Sequence, residues 1–236
     1  MSDAAARPPS AHRPALIVFD LDGTLVDSRK DIADAANDLL RECGAAPLPD
    51  RAIARMVGEG AATLVARAFT AAGAPQPADA LQRYLRFYDR RLLLHTKPYD
   101  GIAAMLDALH PAFTLAVLTN KPIGATRQIL DGLDLARYFD ARLVLGGDGP
   151  HARKPDPAGF LQIAEACGVG PERALMVGDS VIDRRTARAA GASACVARYG
   201  FGFELFPTDE LLAGDLLIDA PQQLVHRLGP DHGRAG

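Results

Sequence analysis

The sequence predicts an α/β fold: a parallel sheet covered by helices, with a helical insertion after the first strand. Three observations carry this. From Pro98 onward, short apolar runs of strand length alternate with segments of helical periodicity. Upstream, Leu16-Ile17-Val18-Phe19 is mostly β-branched or aromatic and reads as a strand buried on both faces. Between Leu25 and Lys97 there is no strand signal, and the span is longer than one crossover helix with short loops requires.

Taken in order, residues 1–14 read as a loose, disordered tail without the apolar core of a secretory signal. After the first strand, Ser28 is placed to cap a helix whose stripe is Ile32, Ala35, Ala36, Leu39, Leu40 and Cys43. Gly44 and the Pro47/Pro49 pair break it. A short helix over 51–57 stops at Gly58-Glu59-Gly60, and a second over 61–72 stops at Gly73 and Pro75. A third carries Leu81, Tyr84, Leu85, Tyr88 and Leu92 on one face. Residues 28–97 are therefore expected to form an inserted helical domain on a core made of 15–27 and 98–228. Within that core the patterns give a helix through Ile102 and Leu109, a strand at 113–118, and a helix at 123–132. A short strand at 143–145, a helix at 157–167 and a strand at 174–177 follow. The last units are a helix at 181–190 closed by Gly191, strands at 194–197 and 216–218, and a helix at 221–228. Residues 229–236 are polar and glycine-rich and read as a second loose tail.

Composition narrows the function. A formal charge of -3 provides no field for gripping nucleic acid or an anionic membrane. No apolar run approaches the ~18 residues of a membrane span. Cys43, Cys167 and Cys195 lack CxxC spacing and are odd in number, which points to a reducing, cytoplasmic setting without a disulfide frame or zinc site. The sequence gives no warrant for an oligomeric state.

The chemistry sits where the strands end. The first ends in Asp20-Leu21-Asp22-Gly23-Thr24, the second in Thr119-Asn120-Lys121 and the fourth in Gly178-Asp179-Ser180, with Asp183 beyond. The third is followed by Lys154-Pro155. In a parallel sheet these ends share one edge, so they can converge on one pocket. Two carboxylates ~4 Å apart at an effective dielectric of ~20 repel by ~4 kcal/mol, so Asp20 and Asp22 call for a proton or a cation between them. Gathered acids suit a hard cation such as Mg²⁺. Lys154 and the Thr119 hydroxyl would face an oxygen-rich anion, and a phosphoryl group fits. One carboxylate can then attack as nucleophile while its neighbour handles protons. Each piece alone also has a structural reading: a helix cap for Thr119-Asn120 and Asp179-Ser180, a solvated lysine for Lys154, a first-turn acid for Asp183. It is their order, each at a strand end, that favours a site.

At this point the chain resembles the haloacid dehalogenase-like hydrolases. Asp20-Leu-Asp-Gly-Thr, Thr119, Lys154 and Gly178-Asp179-x-x-x-Asp183 are similar to that family's four ordered motifs, and the resemblance covers residues 15–225. It implies a Rossmann-like parallel sheet core with an inserted helical cap domain. It also implies that Asp20 is the nucleophile and Asp22 the general acid/base. Thr119, with Asn120 beside it, would bind the phosphoryl group, and Lys154 would steady both phosphate and nucleophile. Mg²⁺ would be held by Asp20, the main-chain carbonyl of Asp22 and Asp179, with Asp183 in support. An acid at position 22 implies a phosphatase or phosphomutase.

Further stretches, Val57-Gly-Glu-Gly60, Leu64-Val-Ala-Arg67, Thr96-Lys-Pro-Tyr99, Asn120-Lys-Pro122 and Gly146-Gly-Asp148, are similar to those of bacterial phosphoglycolate phosphatases. This makes 2-phosphoglycolate, hydrolysed to glycolate and phosphate through an aspartyl-phosphate, the leading expectation among small-molecule monoesters. A sugar-phosphate phosphatase, such as one for N-acetylmuramic acid 6-phosphate, and a phosphomutase are the alternatives; a non-enzymatic binding protein is disfavoured by the intact acid set. Selectivity is expected from the insert: Gly58 and Gly60 would let backbone N–H groups approach a small ligand, and Arg67 would pair with a substrate carboxylate. Arg184-Arg185, directly after Asp183, departs from the family pattern and opposes the helix dipole.

Overall fold

The computed structural model describes residues 13–229 except 213; both expected tails, apart from residues 13, 14 and 229, lie outside the described residues. Among the described residues, six parallel strands form one sheet in the order β5-β4-β1-β6-β7-β8. They are β1 (Leu16–Phe19), β4 (Thr114–Leu118), β5 (Val144–Leu145), β6 (Ala174–Gly178), β7 (Ser193–Ala197) and β8 (Leu216–Ile218). The prediction of an α/β fold with a parallel sheet is met. On β1, Ile17 and Phe19 enter one apolar cluster while Leu16 and Val18 enter a second. That division across the two faces is why its four residues form an unbroken apolar run.

The helices of the core are α5 (Ile102–Leu109), α6 (Ile123–Gly132), α7 (Ala158–Ala166), α8 (Val181–Ala190) and α9 (Pro221–Leu228). These match the periodic segments to within a residue or two. Between β1 and α5 lie α1 (Arg29–Glu42), α2 (Asp50–Ala54), α3 (Ala61–Ala71) and α4 (Ala80–Asp89). One expectation fails here. The span from Leu25 to Lys97 does contain strand: β2 (Val26–Asp27) pairs antiparallel with β3 (Lys97–Pro98). Two residues are too few to show alternation, yet this ribbon ties together the two connections that carry α1–α4. A second correction concerns Ser28. It stands at the start of α1 without making a side-chain cap, because its hydroxyl donates instead to Asp22 Oδ1 at 2.5 Å.

Arg184-Arg185 has a structural explanation. Arg184 is buried on α8 and pairs with Asp215 Oδ2 at 3.0 Å and Glu210 Oε2 at 3.6 Å. Arg185 reaches Glu210 from the exposed side. The two cations thus fasten the segment between β7 and β8 onto α8, at a site where their cost to the helix dipole is offset by close carboxylates. No described helix is long and apolar enough to cross a membrane.

Removing the carboxylate from a buried guanidinium leaves a charge without its partner. Asp215→Ala is therefore expected to lower unfolding stability by about 3 kcal/mol in urea titrations. Glu210→Gln, on the exposed side, is expected to change it far less.

Candidate active site

Strand register assembles the site. Phe19 lies opposite Val117 on β4 and Val177 on β6. The residues just beyond, Asp20, Thr119 and Asp179, therefore leave the sheet side by side at its carboxyl edge. Lys154 arrives on the loop after β5. The Asn120 side chain fixes that loop: its Oδ1 accepts from Lys154 N–H at 2.9 Å, and its Nδ2 donates to Lys154 C=O at 2.9 Å and to Gly58 C=O at 2.8 Å. This corrects the expectation for Asn120. Its side-chain amide acts as a bracket joining three segments, with both N–H groups already committed, and is not offered to a phosphoryl group.

Lys154 is buried between two acids. Its Nζ lies 2.8 Å from Asp20 Oδ1 and 2.6 Å from Asp183 Oδ1. The contact to Asp20 is an ion pair without hydrogen-bond alignment, so Asp20 Oδ1 is a buried oxygen lacking a hydrogen-bond partner. Asp183 also closes the N-terminus of α8: its Oδ2 accepts from Ser180 N–H and Oγ–H while Ser180 Oγ accepts from Asp183 N–H. Ser180 thus makes the cap expected of Asp179-Ser180, and Asp183 is the first-turn acid of the same capping box while also pairing with Lys154.

Oxygens of Asp20, Asp179 and Asp183 lie within 4.8 Å of one another. Burial pushes the Asp20 carboxyl up to about 6, against the pull of Lys154 and with the push of Asp183. Burial, then the charges of Asp183 and Asp20, holds Asp179 well above the usual carboxylate range. Burial alone would lower Lys154, but the charges of Asp183 and Asp20 outweigh it and raise its affinity for its proton. Three carboxylates thus share one ammonium, an arrangement that a hard cation would relieve. The all-oxygen donor set of Asp20, Asp179 and Asp183 fits Mg²⁺.

The main chain closes tightly around Asp179. Gly202 N–H donates to its Oδ2 at 2.6 Å. Gly23, at φ +85, leaves no room for a side chain: a Cβ there would stand 1.9 Å from Asp179 Oδ2. Gly202 escaped the sequence reading because it lies in a 3-10 segment, Phe201–Leu205, which has no periodic apolar signal.

Sequence reasoning also undercounted the cations. Lys121, grouped with Thr119 and Asn120 but given no role, turns into the pocket as a second ammonium. Its Nζ donates to Asp22 Oδ1 at 2.9 Å and Oδ2 at 2.8 Å and stands 4.6 Å from the centre of the Tyr88 ring. Asp22 thus points at Lys121 and Ser28. Gly58 and Gly60 line the same cavity, with φ +120 and +92. Arg67 does not line it; the guanidinium is exposed and pairs with Glu59 at 2.5 Å. Its expected contact with a substrate is not supported, because an α3 position one turn beyond Leu64 faces solvent.

The model of the haloacid dehalogenase-like hydrolase family matches residues 14–191. The chain belongs to the haloacid dehalogenase-like hydrolases. Among its relatives, the phosphoglycolate phosphatase of Rhodospirillum rubrum is 45% identical over 200 residues, covering 81% of this chain and 82% of that one. The phosphoglycolate phosphatase of Caulobacter vibrioides is 38% identical over 209 residues, covering 86% of each chain. The crystal structure of a predicted phosphoglycolate phosphatase from Haemophilus somnus superposes with a TM-score of 0.83 at 28% identity, covering 91% of this chain and 98% of that one. Residues of the inserted helices and of the acidic sheet edge line one cavity from both sides.

The crowded acids make a pH prediction for the metal-free hydrolase. Asp20 keeps its proton to about pH 6 in the folded chain against 3.8 as a free side chain. Its contribution to stability is therefore present below the unfolded value and lost as pH rises through about 6. Denaturant midpoints measured with chelator present are expected to fall as pH rises from about 4 to about 6 and to level off above that. Asp179→Asn, which removes a second carboxyl that burial holds well above its usual range, is expected to flatten that fall.

Proposed function

We propose that this chain is a cytoplasmic, Mg²⁺-dependent phosphatase that hydrolyses 2-phosphoglycolate to glycolate and phosphate through an aspartyl-phosphate on Asp20. The observation that carries the reading is the convergence of Asp20, Thr119 and Asp179 on one cavity with Lys154 behind them. Identity of up to 45% to phosphoglycolate phosphatases supports the substrate.

In this reading the Asp20 carboxylate attacks phosphorus and Lys154 keeps its charge beside the attacking oxygen, steadying both nucleophile and phosphoryl oxygens. The Thr119 hydroxyl and the main chain around it bind the phosphoryl group. Asp22 delivers a proton to the leaving oxygen, then withdraws one from the water that frees Asp20. Asp20, Asp179 and the Asp22 carbonyl would hold Mg²⁺, with Asp183 supporting through Lys154. When bound, the ion neutralises charge on the transferring phosphoryl group. Helices α1–α4 act as a cap domain, closing the cavity against water.

Phosphate release from a panel of monoesters, with and without Mg²⁺, tests the reading. Asp20→Asn is expected to reduce kcat by at least ~10³-fold. A strong preference for N-acetylmuramic acid 6-phosphate would overturn the substrate assignment. Retention of phosphate with a bisphosphate activator would indicate a mutase. Separately, Mg²⁺ at 100 times its Kd is expected to stabilise the wild type by ~2.7 kcal/mol in thermal unfolding, and Asp179→Asn to abolish most of that gain.

A further inference from the structure

The residues lining the cavity include three acids, Asp20, Asp22 and Asp179, and a single cation, Lys121. Lys154 lies behind them, committed to Asp20 and Asp183. The apolar part of the lining comes from the insert: Ile32, Val57, Leu64, Tyr84, Leu85 and Tyr88. A substrate that carries a second anion beyond its phosphoryl group must place that anion against this wall, where water is largely excluded. An anion moved into such surroundings needs a charged or hydrogen-bonding partner. Two groups meet the requirement. The Lys121 side chain is only 5% exposed and leans over the Tyr88 ring. Tyr88 Oη is buried and has no hydrogen-bond partner among the described residues, a position that leaves a phenolic donor unused.

We propose that Lys121 and Tyr88 together form the subsite that receives the carboxylate of the substrate. The proposal rests on the phosphoglycolate reading above and deepens it by naming the residues that distinguish a carboxylated ester from a neutral one. Before substrate binds, Lys121 Nζ sits between the two Asp22 oxygens, so Asp22 occupies the place that a substrate carboxylate would take. Binding exchanges one carboxylate partner for another and releases Asp22 toward the leaving oxygen. An ester with a neutral tail leaves Lys121 on Asp22. Tyr88 belongs to α4 and Lys121 to the turn after β4, so the subsite spans insert and core and forms only when the two are together. Lys121 is thus a selectivity and positioning residue, and Tyr88 supplies a hydroxyl and a ring face.

The test compares 2-phosphoglycolate with ethyl phosphate, which replaces the carboxylate by a methyl group, with Mg²⁺ present and kcat and KM determined separately. The wild type is expected to prefer the carboxylated ester. In Lys121→Met both substrates slow, since Asp22 loses its partner, but the preference itself should fall by ~10–100-fold, mostly through KM. Tyr88→Phe should reduce the preference by ~5–10-fold, and it carries the same readout should Lys121→Met fail to fold. A wild type that prefers phosphoglycolate, with variants that keep its preference, overturns this inference alone. A wild type without that preference overturns the phosphoglycolate reading and the inference with it.

Discussion

Everything at the sheet edge depends on one buried ammonium placed among three carboxylates. Lys154 bridges Asp20 and Asp183, and Asp179 is held beside them by Gly202 N–H. In a medium that solvates charge poorly, no member of this set is indifferent to the others. Taking out the ammonium would leave acids facing each other without compensation, a loss that buried ion pairs make severe. The set also joins four parts of the chain: the end of β1, the loop after β5, the end of β6 and the start of α8. Local backbone choices serve it, from the glycine at 23 that admits Asp179 to the Asn120 bracket that fixes the Lys154 loop. The electrostatic problem of two neighbouring acids, Asp20 and Asp22, thus has two separate solutions. Asp20 is balanced from the core by Lys154, and Asp22 from the pocket side by Lys121 and Ser28.

The fold was largely legible because its signal is periodic. Strands buried on both faces give unbroken apolar runs, and the helices covering them give stripes, so nearly every element was found within a residue or two. The exceptions are short. β2 and β3 have two residues each, below any periodic signal, and are defined by pairing between positions seventy residues apart. In the site, residue types at strand ends were legible, since topology alone brings those ends together. The direction of individual side chains was not. Asn120 and Lys121 are adjacent in sequence, yet one faces the backbone of neighbouring loops and the other the cavity. Which does which depends on the turn that follows β4, and composition does not encode it. Arg67 failed for the opposite reason: its chemistry suited a carboxylate, but a helix position one turn too far placed it in solvent beside Glu59.

Arg184 and Arg185 show how a departure from a family pattern can be resolved by contacts distant in sequence. Near the start of α8 they look unfavourable, and on the helix alone they are. The segment between β7 and β8 brings Glu210 and Asp215 to meet them, and the same stretch of chain carries Gly202 to Asp179. Fixing one end of this segment with buried charge limits how far its other end can drift from the acids. The arginines therefore belong to the support of the site, although neither touches the cavity.

Core and insert divide the chemical task along a physical line. The core fixes charge: its donors are set by strand register and buried ion pairs, which admit little movement, and such rigidity suits a phosphoryl group whose geometry is the same in every monoester. In the proposed function the insert supplies what varies between substrates: an apolar wall and two glycines that let the backbone come close. Its polar links to the core include the Asn120 hydrogen bond to Gly58 C=O and the Arg51 and Arg55 pairs with Glu204, beside an apolar cluster that runs through both. Exposed pairs of that kind contribute little net stability, and the ribbon of β2 and β3 keeps the insert's two connections together. Under the proposed function the two parts then answer different questions: the core sets what bond is broken, and the insert which ester is admitted.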